Sequence, residues 1–251
     1  MTQSILKLND VAVQFGALRA VGGVTLDVQT GARRAIIGPN GAGKTTLFNA
    51  ITGVVAPTSG TVVFDGHDIS RAAPHRRAAH GIARTFQITN LFSSLTVDEN
   101  MMLALRGLQR RKFSMFGNMK LTGEEALAAE RALHLARLQR RRRTIVKEMS
   151  YGEQRQLELA LSLATSPRLL LLDEPAAGLS PAERSMVADI IRSLPRELTL
   201  ILIEHDMDLA LGLVDYVSCL HEGRILVEAS PADIRGHSAV QEVYLGRARN
   251  A

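Results

Sequence analysis

Gly38-Pro39-Asn40-Gly41-Ala42-Gly43-Lys44-Thr45 follows a short apolar run, Ala35–Ile37, and opens a stretch that reads as a helix from Thr45. The pattern G-x-x-x-x-G-K-[ST] is that of a phosphate-binding loop, the Walker A motif. Its glycines let backbone N–H groups turn inward around phosphate oxygens. The helix behind the loop aims its positive end at the same oxygens. Lys44 supplies a point charge for the β- and γ-phosphates, and Thr45 a hydroxyl for Mg²⁺. Gly38, Pro39, Asn40, Gly41, Ala42, Gly43, Lys44, Thr45 and Thr46 are thus candidate ligands of a nucleotide. A strand, then this loop, then a helix predicts an α/β fold built on a P-loop core.

On either side of the loop, short apolar runs alternate with turn signals. Ile5–Val13, Val24–Val28 and Thr61–Phe64 read as strands, the last ending at Asp65-Gly66. In the last third, Leu169–Leu172 and Leu198–Ile203 are continuous apolar runs, as expected of strands buried on both faces of a parallel sheet. Ser180-Pro181-Ala182-Glu183 and Ser230-Pro231-Ala232-Asp233 read as capped helix starts, and Asp206 can cap a third helix. The middle of the chain loses strand character. Thr96 with Glu99, Thr122 with Glu125 and Ser150 with Glu153 each fit a capping box. The expected organisation is one domain over 1–251, with a core of about 1–87 and 168–251 and a helical insertion of about 88–167.

Asp173 and Glu174 close the run Leu169–Leu172. In a P-loop fold the first acid at such a strand end holds Mg²⁺, usually through water. The second is placed to orient or deprotonate an attacking water. Taken alone, the pair also reads as a solvated strand terminus; beside a phosphate-binding loop the catalytic reading prevails.

Composition narrows the rest. With 46% apolar and 22% charged residues over 251 positions, the chain is globular rather than disordered. A single cysteine, Cys219, excludes an intrachain disulfide framework and a cysteine-based zinc site. No apolar run approaches the ~18–20 residues of a membrane span, and the first residues read as a strand and not as a secretory signal. A cytoplasmic location is expected.

Met149-Ser150-Tyr151-Gly152-Glu153-Gln154-Arg155 lies between the phosphate loop and the acidic strand. It resembles the signature motif, usually written LSGGQ, of the ATP-binding-cassette (ABC) ATPases. Gln87, after Ile82-Ala83-Arg84-Thr85-Phe86, is similar to the Q-loop glutamine, and His205, in Leu202-Ile203-Glu204-His205-Asp206, to the switch histidine. Ala177-Gly178-Leu179-Ser180 stands where the D-loop stands, and Phe15 precedes the loop at about the distance of the adenine-stacking aromatic. Phe15 reads equally as the last core residue of its strand. Tyr151 replaces the first signature glycine, Met149 the leucine, and Ser180 the usual D-loop aspartate.

The resemblance covers essentially the whole chain and implies a P-loop NTPase (RecA-like) core with a mixed sheet and an inserted α-helical subdomain. It implies ATP and Mg²⁺ as cofactors and a head-to-tail dimer with a second cassette, identical or different. Thr45, Gln87 and Asp173 then form the metal environment. Glu174 is the general base, with His205 at the γ-phosphate and Gln87 completing the catalytic set. Ser150, Gly152 and Glu153 meet the nucleotide held by the other cassette. Further stretches narrow the resemblance: Arg84-Thr85-Phe86-Gln87 with Asn90-Leu91-Phe92, Leu95-Thr96-Val97-Asp98-Glu99-Asn100, Ala176 to Pro181, and Val243-Tyr244-Leu245-Gly246. Together they resemble the LivG-type ATPase subunits of branched-chain amino acid importers. Such a subunit is peripheral on the cytoplasmic face of the inner membrane. Its partners are two permease subunits and, indirectly, a periplasmic solute-binding protein.

Two other readings stay open. One is the ATPase of a lipid or lipopolysaccharide exporter; the other is an ABC ATPase acting on nucleic acid or ribosomes. Charge weighs on the second. The formal net charge is +5, yet Ala104–Lys147 carries twelve Lys and Arg against three acids. The basic character therefore belongs to the helical insertion and not to the catalytic body, and no nucleic-acid-binding motif accompanies it. Arg110-Arg111-Lys112-Phe113-Ser114-Met115-Phe116 mixes charge with apolar side chains, as a segment touching lipid headgroups or an acidic permease surface would. A solvated helix face and loop is the plainer alternative.

Overall fold

The structure is a computed structural model that describes residues 3–85, 91–107, 121 and 123–245. Two sheets frame it. The first is antiparallel, in the order β2-β1-β4-β5, with β1 Ser4–Phe15, β2 Leu18–Gln29, β4 Ser59–Phe64 and β5 His67–Asp68. The second is mixed, in the order β10-β9-β3-β8-β7-β6. Its strands β6 (Ile82–Arg84), β7 (Leu169–Asp173), β8 (Thr199–Ile203), β3 (Arg33–Ile37) and β9 (Tyr216–His221) run parallel, and β10 (Arg224–Ala229) returns antiparallel to β9.

The continuous apolar runs do what their composition requires. Successive side chains of a strand point to opposite faces, and here each face meets its own core. Ile37, Leu170, Leu172, Leu200 and Leu202 pack with the helices of one side. Ile36, Leu169, Leu171, Ile201 and Ile203 face the antiparallel sheet and α1 (Lys44–Thr52), where Phe48 and Phe64 are buried. With about 25 cal/mol gained per Å² of apolar area buried, a strand covered on both faces is the strongest attachment the chain has.

Between β6 and β7 lie α3 (Val97–Gly107), α4 (Gly123–Leu135) and α5 (Tyr151–Ala164). The Thr96–Glu99 box is present at α3, its backbone and side-chain bonds to Glu99 being 2.7–3.3 Å. The box at Ser150 and Glu153 opens α5. Thr122 lies outside the described residues; Glu125 accepts two bonds from Arg106, tying α4 to the end of α3. Met101, Ala129, Leu133, Leu157 and Ala160 fill the space between these helices. After β7, α6 (Pro181–Ser193), α7 (Met207–Leu211), α8 (Pro231–Gly236) and α9 (Ser238–Leu245) follow, and α2 (Pro74–Ala79) precedes β6.

Two buried arginines stand where sequence patterning is silent. Arg77, on α2, donates to Ala50 O and Ile51 O at the end of α1, and to Ser70 O and Ala72 O. Arg33 does the same for α6 through Ile191 O, Arg192 O and Leu194 O. Each puts a cation on the carbonyls left over at a helix C-terminus, where the helix dipole is negative. The strand pattern also missed β9, β10 and β6. The β9–β10 turn has Glu222 and Gly223 both at positive φ, 48° and 75°, the geometry of a two-residue hairpin turn usually signalled by Asn-Gly.

Candidate nucleotide-binding site

The phosphate loop leaves the end of β3 at the centre of the mixed sheet, with β8 and β9 on its flanks. Gly38 has φ 146°, and a Cβ there would run into the carbonyl oxygen of Leu220. The loop can pass under β9 only because this position carries no side chain. Lys44, buried at the start of α1, folds back over the loop and donates to Gly38 O at 2.7 Å and Pro39 O at 3.0 Å. From the opposite end of the chain, the Tyr244 hydroxyl on α9 accepts the Gly38 N–H at 2.8 Å. Burial pushes that phenol up to about 12.

In front of the loop is a cavity of about 700 Å³, lined by Asn40, Gly41, Ala42, Gly43, Lys44, Thr45 and Thr46. Leu18, Arg19 and Ala20 of β2 wall one side and the Glu222–Gly223 turn adjoins them. Across the opening stand Glu174 and His205. Glu174 directly follows β7 and its N–H bonds Ile203 O at 2.9 Å. Its φ of 50° turns the chain sharply, and its carboxylate lies 2.5 Å from His205 Nε2. A non-glycine residue in the left-handed region is strained and persists only where its surroundings hold it.

Glu204 is one of those holders, and sequence patterning did not mark it. It is buried between the two catalytic-type loops and accepts the N–H of Ala176 at 3.1 Å and of His205 at 3.2 Å. Burial pushes its carboxyl up, those two amides oppose the shift, and the neighbouring Glu174 adds to it.

Asp173 is 1% exposed at its side chain and pairs with Arg84, at the end of β6, at 2.6 Å. Arg84 also donates to Asn49 Oδ1 on α1 at 2.6 Å. The other carboxylate oxygen, Asp173 Oδ1, is buried without a hydrogen-bond partner among the described residues. An orphaned acceptor of this kind suits a hydrated hard cation, which takes oxygen ligands.

Other sequence candidates lie elsewhere. Gln87 falls outside the described residues. Phe15 is 50% exposed at the β1–β2 turn, opposite Leu18 in register, so it is not a core residue; it does not line the cavity, whereas Leu18 does. Ser150, Gly152 and Glu153 form the start of α5 and are not part of the cavity wall. Ser150 caps Glu153 N at 3.1 Å, and Glu153 returns a bond to Ser150 N and pairs with Arg141 at 2.7 Å. Tyr151 lays its ring against Gly178 and accepts from Arg155 through its hydroxyl at 2.8 Å. The Gly152 N–H donates to Glu183 Oε1 at 3.2 Å. Glu183 belongs to the box that Ser180 makes at α6, and those Ser180 bonds hold its carboxyl below the usual carboxylate range.

A loop that cradles anions, facing an acid–histidine pair, is the constellation of a nucleoside triphosphatase. Comparison with known proteins agrees. Residues 21–177 match the family model described as ABC transporter. This chain belongs to the ABC transporter ATP-binding family. The high-affinity branched-chain amino acid transport ATP-binding protein BraF of Pseudomonas aeruginosa is 38% identical, over 99% of this chain and all of that one. LivG of Escherichia coli (strain K12), described as a high-affinity branched-chain amino acid transport ATP-binding protein, is 36% identical over the same shares. Among solved structures, the ADP conformation of the cassette MJ1267 superposes with a TM-score of 0.86 at 29% identity, covering 98% of this chain and all of that one. The dimeric post-hydrolysis state of the cassette MJ0796, bound to ADP and Pi, gives 0.76 at 26%, covering 90% and 99%. The cassette is thus an ATP-hydrolysing subunit of a transporter, with a P-loop α/β fold. No helix among its described residues is long and apolar enough to cross a membrane.

Proposed function

We propose that this cassette powers an importer of branched-chain or closely related amino acids by closing on a second cassette around ATP. The observation that carries the two-cassette part is spatial. Loop, Glu174 and His205 share one cavity, while Ser150 and Gly152, at the capped start of α5, do not line it. A helix N-terminus with a capping serine suits a phosphate, and only a second cassette can bring such an end to this cavity's open side.

In this reading Lys44 exchanges its two loop carbonyls for β- and γ-phosphate oxygens. Thr45 and Asp173, with Gln87, would hold Mg²⁺, which when bound would supply charge neutralisation at the phosphates. Glu174 takes a proton from the attacking water, and His205, beside it, steadies the carboxylate and reaches the γ-phosphate. Ser150, Gly152 and Glu153 complete the site in trans. The closing motion reaches the permease through an apolar cleft of about 420 Å³ between the core and α3–α5. Val54, Ile82, Leu91, Ala104 and Leu161 line it, and Arg84 forms its deep edge. Such a cleft suits an amphipathic helix end. The solute class follows the BraF and LivG relatives.

The test is the purified complex with its permease and binding protein. ATPase activity is expected to rise with leucine, isoleucine or valine and not with lipid, DNA or ribosomes. Glu174→Gln should bind ATP, close and stop turning over. Normal turnover in that variant would remove Glu174 as the base, and stimulation by lipid instead of amino acid would favour the exporter reading.

A further inference from the structure

The amide of Gly152, in the signature motif, has a partner within its own chain. Gly152 is buried in a chain that stands alone, and what covers it is Glu183. Its N–H donates to Glu183 Oε1, while Glu183 Oε2 accepts from Ser180 N at 3.0 Å and Ser180 Oγ at 2.7 Å. The fit of that carboxylate depends on the residue it covers. A Cβ built on Gly152 would stand 2.8 Å from Glu183 Cδ and 2.9 Å from Cγ, so glycine at 152 is what allows the side chain to lie flat on the backbone.

We propose that Glu183 is an internal anion that occupies the Gly152 amide at rest and that the γ-phosphate of ATP on the partner cassette must displace it, so that Glu183 sets the ATP concentration at which the cassettes close. The inference rests on the trans role given above to Ser150 and Gly152. Glu183 is a positioning residue, since it touches no reacting atom.

The exchange is chemically even-handed. An anionic oxygen leaves a backbone donor and another anionic oxygen takes its place, so the amide is satisfied before and after. The carboxylate has somewhere to go, because Oε2 keeps both Ser180 bonds while Oε1 swings off. A carboxylate and a phosphate brought to one N–H repel each other, so arrival of phosphate favours departure of the Glu183 oxygen. The same movement loosens the contact between α5 and the start of α6, which the Tyr151 ring on Gly178 makes from the other side. Arrival of nucleotide at the signature motif is thereby felt at the D-loop segment of the same chain.

The experiment uses the full chain carrying Glu174→Gln and measures ATP-driven association by sedimentation, with the second cassette supplied where the chain does not pair with itself. Adding Glu183→Gln keeps size and capping geometry but weakens the acceptor, and should lower the half-saturating ATP concentration by about threefold, the scale of one exposed charged contact. Ser180→Ala perturbs the cap while leaving Glu183 beside Gly152, and should not lower it. In the nucleotide-free monomer, Glu183→Gln should speed hydrogen exchange of the Gly152 amide, whereas residues deep in α5 stay protected. An unchanged or raised ATP requirement with Glu183→Gln overturns the inference, as does unaltered Gly152 exchange. Failure of the Glu174→Gln parent to associate with ATP at all strikes the two-cassette reading itself.

Discussion

Replacing Arg84 by methionine should destabilise the cassette by breaking its buried pair with Asp173. Arg84 and Asp173 have side chains only 7% and 1% exposed and meet at 2.6 Å. Methionine keeps most of the stem and removes the charge. Breaking a buried pair by deleting one partner costs about 3–5 kcal/mol, because the other charge stays buried without compensation. In a chain of this size that is a fall in melting temperature of roughly 6–20 °C, at about 2–4 °C per kcal/mol. Adding Asp173→Asn removes the orphaned charge and should restore part of the loss. The assay is urea unfolding of the protein at pH 8 for both single variants and the double. A loss under about 1 kcal/mol at pH 8, or strict additivity of the two substitutions, would refute a buried pair worth this much.

Tyr244→Phe removes one bond to the phosphate loop and leaves the ring, so about 1 kcal/mol of stability should go. ATP affinity should weaken in an isothermal titration while the isolated fold persists. On the alkaline side, burial raises the Cys219 thiol to about 11 and the Tyr244 phenol to about 12. Both groups are neutral in the fold above the pH at which the unfolded chain ionises them, so stability should be full below pH ~9 and decline from there towards pH 12. Denaturant midpoints across that range check this, and Cys219→Ala should flatten the lower half of the decline.

Motifs with a local physical cause were legible in the sequence. The glycine loop, the apolar strands buried on both faces, and the boxes at Ser150 and Ser180 each depend on residues within a few positions, and each is where the spacing puts it. What the sequence hid are single polar side chains whose partners are far along the chain. Arg84 meets Asp173 across 89 positions and Tyr244 meets Gly38 across 206. Nothing in the period of a strand or the cap of a helix marks them. Glu204 looked like a neighbour of His205 and is instead the buried acceptor for two loop amides. Phe15 was ambiguous because a strand's last aromatic faces inward or outward according to register, which the β1–β2 turn decides. The basic insertion reads differently too. Arg141 and Arg142 are tied to Glu153 and Asp98, so part of that charge clamps the chain ahead of α5; Arg110 to Phe116 lie outside the described residues.

These hidden partners share a logic. In the proposed function, groups that meet nucleotide already have partners among the described residues, save one oxygen of Asp173. Lys44 rests on two carbonyls, Gly152 on a carboxylate, and one oxygen of Asp173 on Arg84. Leaving any of them buried and bare would cost about 1–3 kcal/mol, more for a charge. Filling them too well would leave ATP nothing to gain. Neutral carbonyls are weaker partners for the Lys44 cation than phosphate, which favours nucleotide there, while at Gly152 one anionic oxygen replaces another. The Arg84–Asp173 pair is of another kind, buried and charge-assisted, and Asp173 can keep it while its second, unpartnered oxygen faces a hydrated cation. In the proposed function the cassette would exchange its contacts to phosphate and keep the Arg84–Asp173 pair, so the acid is held in place beforehand.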